Sequence, residues 1–332
     1  MLTTDLDVTT ARAAVALANR APSVHNSQPW RWRIGASSIH LFADPARALP
    51  RTDPEGRDLL LSCGAALHHL RVALLAAGLR ADVHRLPDPA HPAHLAAVEL
   101  TPARPMPDDL ALAVAVEARR SDRRMFSAWP VPPELLAVVA AAAAAEGARL
   151  QFLTRDSERM SVAGLVEHAA VEQALTPDLA QEVAAWTGRT RGSAEGVPAG
   201  NVPAAPDGAV PVRHFAAAEQ PQIDLGRDET DGTVLALLST EHDGPVDRLR
   251  AGEALSAALL TATRIGLATD PISQPLEVPT TRAGLRAAVL GGDGEPQVLL
   301  RLGWAPISAD PVPPTGRRPV DDTIDPFETP WP

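Results

Sequence analysis

At 332 residues the chain is long enough for two ordinary domains or for one duplicated unit, so the size of the core sets no limit. A formal charge of −11 excludes a general binder of nucleic acid or of an anionic membrane, whose phosphates demand a basic face. The absence of lysine removes Schiff-base and phosphate-loop lysines, and a single cysteine, Cys63, removes an intramolecular disulfide and a cysteine-built zinc site.

In chain order, the first residues are acidic and lack the basic and apolar regions of a secretory signal. No apolar run approaches about 20 residues free of charge and proline, so the sequence predicts a cytoplasmic protein without a membrane span. A helix exit and polar turn at 21–30, Ala-Pro-Ser-Val-His-Asn-Ser-Gln-Pro-Trp, leads into a strand pair at 31–34 and 39–42. A long helix that feeds a strand follows over 62–82, then a closing strand at 95–100 and a Pro-rich connection at 101–109. Next comes an arginine-rich helix terminus, Ala-Arg-Arg-Ser-Asp-Arg-Arg-Met-Phe at 118–126, a helical run at 140–145 and a strand at 149–153. Residues 187–222, dense in Gly, Pro and Ala, cannot be regular throughout and form either a disordered surface loop or an active-site lid. A second long helix and strand cover 250–270, and a turn at 291–296 precedes a closing strand at 297–302.

The two helix–strand segments align without a gap. Gly64 matches Gly252, Leu67 matches Leu255, Gly78 matches Gly266 and Asp82 matches Asp270. In each copy a glycine suited to the left-handed position ends the helix. The order of strands around them also repeats, which predicts two related halves, 1–108 and 109–332, the second enlarged by the insertion at about 187–222.

Two words carry chemistry. In the first, Asn26 and Gln28 offer paired amide donors and acceptors suited to the edge of a pyrimidine, although such residues are more often plain turn formers. In the second, Arg119, Arg120, Arg123 and Arg124 surround Ser121, and guanidinium forks match phosphate oxygens, although an isolated charge run is more often a solvated face. His84, His91 and His94 with Asp82 and Asp88 nearby offer a weak metal-site reading, His25, His68 and His69 read as structural, and no G-x-S-x-G elbow suggests a serine hydrolase.

Together the two words make the chain resemble the nitroreductase superfamily of FMN enzymes, and within it the actinobacterial Acg subfamily. The likeness extends through residues 52–58, 62–69, 249–255 and 271–278. It implies an α+β nitroreductase-like fold duplicated in one chain, a pseudo-dimer with mixed sheets flanked by helices. The first word occurs only in the first half and the arginine word only in the second, so one complete site is expected across the pseudo-dimer interface, with one FMN per chain, in a monomer.

By matching positions, the resemblance implies that Arg119, Arg120, Ser121 and Arg123 hold the phosphate, the ribityl chain and the N1/O2 side of the ring. Pro22, Ser23, Val24, Asn26 and Gln28 reach the flavin from the other half. Pro271, Ser273 and Gln274 lie at the strand exit beside N5, with Ser273, Gln274 and Arg123 as the catalytic set, while Arg317 and Arg318 form a second phosphate-binding pair. The implied reaction is electron transfer from NAD(P)H through the flavin to a nitroaromatic, a quinone or another small conjugated molecule. A lid over the ring would instead suit a flavin-storing or redox-sensing protein with little turnover.

Overall fold

The structure, a computed structural model, describes residues 7–204, 213, 215, 217–221, 231–307 and 309–328. Asp7 opens the first helix, α1 (Val8–Ala18), by accepting the Thr10 backbone N–H at 2.9 Å, and Ala11, Ala14, Val15 and Ala18 bury one face of it. The hairpin β1 (Trp30–Ile34) and β2 (Ser38–Ala43) pairs antiparallel, with Trp30 opposite Ala43. α2 (Arg57–Ala76), β3 (Leu79–Arg85) and β4 (His94–Pro102) complete an antiparallel set in the order β3-β4-β2-β1.

The second half begins with α3 (Pro107–Ala118), α4 (Pro133–Ala145), β5 (Arg149–Phe152), α5 (Asp156–Ala174) and α6 (Pro177–Trp186). It continues with β6 (Val234–Thr240), α7 (Pro245–Arg264), β7 (Ala268–Ile272), α8 (Gln274–Glu277), α9 (Pro279–Leu290), β8 (Glu295–Gly303) and a short β9 (Ile324–Asp325). Its sheet runs β7-β8-β6-β5, the same order by role as the first. β6 and β8 read as nearly continuous apolar runs because helices cover both faces: α4 and α7 on one side, α5 and α9 on the other.

The repeat seen in the sequence is a repeat in space. α2 and α7 are 20 residues each and start and stop at matching positions of the aligned segments. They cross at Gly64 and Gly252. A Cβ on Gly64 would lie 2.0 Å from the Leu249 carbonyl oxygen, and one on Gly252 would lie 2.0 Å from that of Leu61, so each helix needs a glycine where the other's backbone passes. Leu61 and Leu249 are themselves matching residues, so the crossing is a local two-fold.

One feature differs from the sequence reading. Only the first sheet is mixed among its strands: β9 runs parallel to β1, whereas the second sheet is antiparallel and gains a parallel partner only as the single bridge Ser121–Thr269. The C-terminal strand of the 109–332 half thus belongs by pairing to the first sheet, where Asn19 accepts both Trp30 and Trp32 indole N–H groups (2.9 and 3.0 Å) and donates to Thr323 Oγ1 (2.8 Å). By length and composition α2 is apolar enough to cross a membrane, although Arg57, Asp58 and Arg71 interrupt its apolar run. Most of it is buried here, against α1, α3 and above all α7.

Candidate functional site

Between the halves lies an open-mouthed cleft with about 1320 Å³ of empty space, the mouth included. One wall is the turn at 21–30. His25, Asn26 and Gln28 all have positive φ (52°, 54° and 52°), a conformation that non-glycine residues hold only when their surroundings over-determine it. The restraints are visible. Ser23 Oγ accepts the Gln28 N–H (3.0 Å), and Asn26 Nδ2 donates to the carbonyls of Gly196 and Gly316, both at 3.1 Å. With its amide nitrogen committed to two carbonyls, the Asn26 orientation is fixed, and its buried Oδ1 is left without a donor.

The opposite end is cationic. Arg119 and Arg120 leave the end of α3, Arg20 follows α1, and Arg317 comes from the C-terminal tail. None of these four guanidinium groups has a carboxylate partner among the described residues, and their buried Nε atoms, with Arg119 Nη1, have no acceptor. Arg317 is held only by carbonyls, among them Gly316 (3.0 Å) and Arg20 (3.1 Å). Burial and mutual repulsion pull Arg119 down to about 10 and Arg317 down to about 9. Four guanidinium groups without a carboxylate partner, Arg119 buried and the other three half-buried, describe a site for a polyanion.

The third wall is the exit of β7. Glu277 accepts from Ser273 Oγ (2.8 Å), from Gln173 Nε2 (2.7 Å) and from the Arg213 guanidinium. Because the carboxylate can only accept, Gln173 must turn its amide nitrogen toward it, and its Oε1 then takes the Gln274 amide (2.9 Å). The network leaves the buried Gln274 Oε1 with no donor, a second open acceptor in the cleft wall.

The insertion closes much of the remaining side. Among its described residues, Val197, Asn201, Arg213 and Phe215 line the cleft. Asn201 O accepts from Arg123 (3.2 Å), Phe215 packs 5.2 Å from the Arg123 guanidinium, and the Phe215 ring meets His25 edge-on at 6.4 Å. Positions 205–212, 214, 216 and 222 of the stretch read as a loop or lid lie outside the described residues.

The cleft brings together Pro22, Ser23, Val24, Asn26, Arg119, Arg120, Ser121, Arg123, Pro271, Ser273, Gln274 and Arg317. Gln28 and Arg318, expected with them, do not line it. The fully buried Gln28 amide donates to Ala194 O (2.8 Å) and accepts the Arg318 backbone N–H (2.9 Å), while the Arg318 guanidinium turns to Gln28 O and Asp322 O. The two residues lock the wall rather than face the cavity. Sequence reasoning did not single out Arg20, Asp58, Ser62, Arg213 or Phe215 as site residues. Asp58 and Ser62 fall in words quoted for other reasons, whereas Arg213 and Phe215 stand in a stretch with no periodicity to mark them.

The remaining histidines go elsewhere. His68 is hydrogen-bonded to Ser256 Oγ (2.8 Å), and its burial holds it down to about 4. His91 meets Asp88 (2.7 Å), His94 stacks on Phe42 (4.6 Å), and His84 lies 3.7 Å from Glu99. Among the described residues no group of three His, Cys, Asp or Glu could hold a metal ion.

Fold and site together define an α+β pseudo-dimer with one anion-seeking, amide-lined cleft between its halves. No protein-family model matches the chain. It is 46% identical over 329 residues to the Mycobacterium tuberculosis H37Rv protein named "Putative NAD(P)H nitroreductase Rv3131", covering 98% of this chain and 92% of that one. To "Putative NAD(P)H nitroreductase acg" of the same strain it is 36% identical over 338 residues, covering 98% and 96%. Among solved structures, the FMN-dependent nitroreductase NfnB of Mycobacterium smegmatis in complex with NADPH matches at 16% identity and TM-score 0.40, over 64% of this chain and 96% of that one. The chain belongs to the nitroreductase superfamily, in its Acg subfamily.

Proposed function

We propose that the chain is an FMN-dependent oxidoreductase of the nitroreductase type, which draws electrons from NAD(P)H and passes them to a small conjugated acceptor, a nitroaromatic or a quinone. The observation that carries this reading is the corner of guanidinium groups whose Nε atoms are buried and which have no carboxylate partner among the described residues, since an internal structural network would include its own counter-charges. FMN fits the polar atoms left open: a phosphate for Arg20, Arg119, Arg120 and Arg317, and ring N–H and carbonyl groups for Asn26 Oδ1, Gln274 and the Ser273 backbone. When bound, FMN supplies reversible two-electron chemistry at its N5 position.

The protein's part is binding, orientation and charge. Ser121, fixed to the edge of β7 by its bridge to Thr269, presents the arginines on either side of it to the anion. Arg123, held by Asn201 O and Phe215, would supply positive charge beside a bound flavin. Glu277 and Gln173 fix Ser273 and Gln274 at the N5 side.

One FMN per chain is supported by what fills the counterpart of the cleft. Arg85 stands where the repeat aligns it with Ser273, and Glu253 where the other half has Ala65. The fully buried Glu253 carboxylate accepts from Arg85 (2.7 and 2.9 Å) and Arg71 (2.8 Å), so the arginines there already have a counter-charge, unlike those of the FMN corner. A chain that contains both halves of the usual interface is assigned as a monomer.

A second reading is favoured by Phe215 and Arg213, which cover part of the cleft and are tied to Arg123 and Glu277. In it the protein stores FMN or senses redox state with little turnover. The purified protein is expected to be yellow, to release FMN on denaturation, to titrate with one FMN per chain and to scatter light as a single chain. Colourless protein that takes up no added FMN defeats both readings. FMN-loaded protein that leaves NAD(P)H unoxidised in the presence of menadione or nitrofurazone selects storage.

A further inference from the structure

The cleft contains one more polar group that the reading above does not use. Asp58, in the first turn of α2, lines the cavity with Leu61, Ser62, Ser273 and Gln274 and is 6% exposed. Its carboxyl has neither a hydrogen bond nor an ion pair among the described residues. A buried carboxylate in that condition would be costly unless something nearby offset its charge.

Every candidate for that role is engaged elsewhere. The helix N-terminus would ordinarily favour an anion, but Asp53 takes that place by accepting the Leu59 N–H at 2.8 Å. Arg57, on the same helix, pairs with Asp243 and donates to Pro296 O and Gln297 Oε1, both at 3.1 Å. Arg213, from the insertion, is committed to Glu277 and to His25 Nε2 (3.2 Å). The remaining charged neighbours, Asp53 before α2 and Glu277 on α8, are both acidic.

Resting on the flavin reading, we propose that Asp58 is the proton donor of the acceptor half-reaction, a carboxylic acid in the cleft wall that protonates an oxygen of the bound quinone or nitro compound. For a quinone the balance closes. The acceptor receives two electrons and one hydrogen from the NAD(P)H-reduced cofactor, and its second hydrogen from Asp58. The Asp58 O–H bond breaks, the hydroquinone O–H bond forms, and the carboxylate regains a proton from solvent through the cleft mouth. Desolvation first, and then Asp53 and Glu277, raise the Asp58 carboxyl well above the usual carboxylate range against the opposing pull of Arg57 and Arg213, which favours the acid form.

The test uses the full chain and Asp58→Asn, a substitution of nearly equal size. Fluorescence titration with FMN is expected to give similar affinities for the two. Infrared spectra of wild-type protein at neutral pH, with and without FMN, should contain a protonated-carboxyl carbonyl band that shifts in D2O and is missing from Asp58→Asn. Stopped-flow reoxidation of the reduced protein by menadione should slow by about 10²-fold or more in the variant, with partial recovery in Asp58→Glu. If wild-type protein binds no FMN, the flavin reading falls and the proposal with it. If FMN binds but the band is absent, if Asp58→Asn reoxidises at the wild-type rate, or if menadione does not reoxidise wild-type protein, the acid role alone is overturned.

Discussion

Arg119 and Arg317 hold positive charge in a place where the folded protein disfavours it. Their ionisation is depressed to about 10 and about 9 by burial and by each other. For a base depressed on folding, the unfolded chain binds the proton more tightly, so the cost is fully present at neutral pH and is relieved only as pH rises through the folded value toward the ordinary one. An anion removes the same cost by another route. Arg317→Met is therefore expected to raise the melting temperature of the FMN-free protein while weakening FMN binding by about 10- to 10²-fold, the worth of a charge-assisted hydrogen bond. Inorganic phosphate should stabilise wild-type protein more than the variant, and calorimetry with and without phosphate reads both effects. The sign differs for Asp58, a carboxyl raised on folding. Its penalty is absent at acid pH, where both states are protonated, and grows as pH passes through the ordinary carboxylate range and the unfolded chain ionises. Asp58→Asn should thus melt higher than wild type at neutral pH, and the gap should close on acidification. A gap independent of pH would contradict the acid form. Of these residues, the sequence made Arg119 legible through the spacing of its neighbours. Arg20 and Asp58 were not, because what makes them unusual is a missing partner, and partners are a property of the folded chain.

The decisive elements are α2 and α7. Their crossing brings backbone onto backbone at Gly64 and Gly252 with no room for a methyl group. Gly64→Ala is expected to cost about 3 kcal/mol or more, or to prevent folding, since the clash is with main chain that cannot rotate away. Gly164 supplies the contrast. It lies within α5 with nothing inside 4 Å of a built Cβ, so Gly164→Ala should stabilise by up to about 1 kcal/mol. Urea denaturation of the two variants separates a packing glycine from an incidental one. Both helices were readable because each is a long amphipathic run ended by a glycine and is present twice. The insertion was readable only as irregular: nothing in its composition says that Asn201, Arg213 and Phe215 face a cleft, because their order is imposed by Arg123, Glu277 and His25 from three other parts of the chain.

Across the whole molecule, duplication has been followed by loss of symmetry. One interface cleft keeps open donors and acceptors, whereas the corresponding region of the other half contains an ion-pair network, Glu253 between Arg71 and Arg85. Glu253→Gln leaves those arginines facing a neutral amide in a buried setting and is expected to destabilise by about 3 kcal/mol or more, without adding a second FMN. A variant that bound two FMN per chain would mean that the ion pairs alone had been excluding it. The C-terminal tail couples the halves as well, carrying Arg317 to the cleft, Thr323 to Asn19 and β9 to the edge of the first sheet.

By itself the sequence determined the duplication, the long central helices, the two words that form opposite ends of the site and the superfamily, because each rests on local pattern or on spacing within one segment. Only the tertiary structure decided that Gln28 and Arg318 lock each other instead of facing the cavity, that four arginines share a corner without a carboxylate partner, and that Asp58 stands unpaired elsewhere in the same cleft. Those outcomes depend on which distant groups reach one another first, and hydrogen-bond capacity, once spent on one partner, is not available to a second.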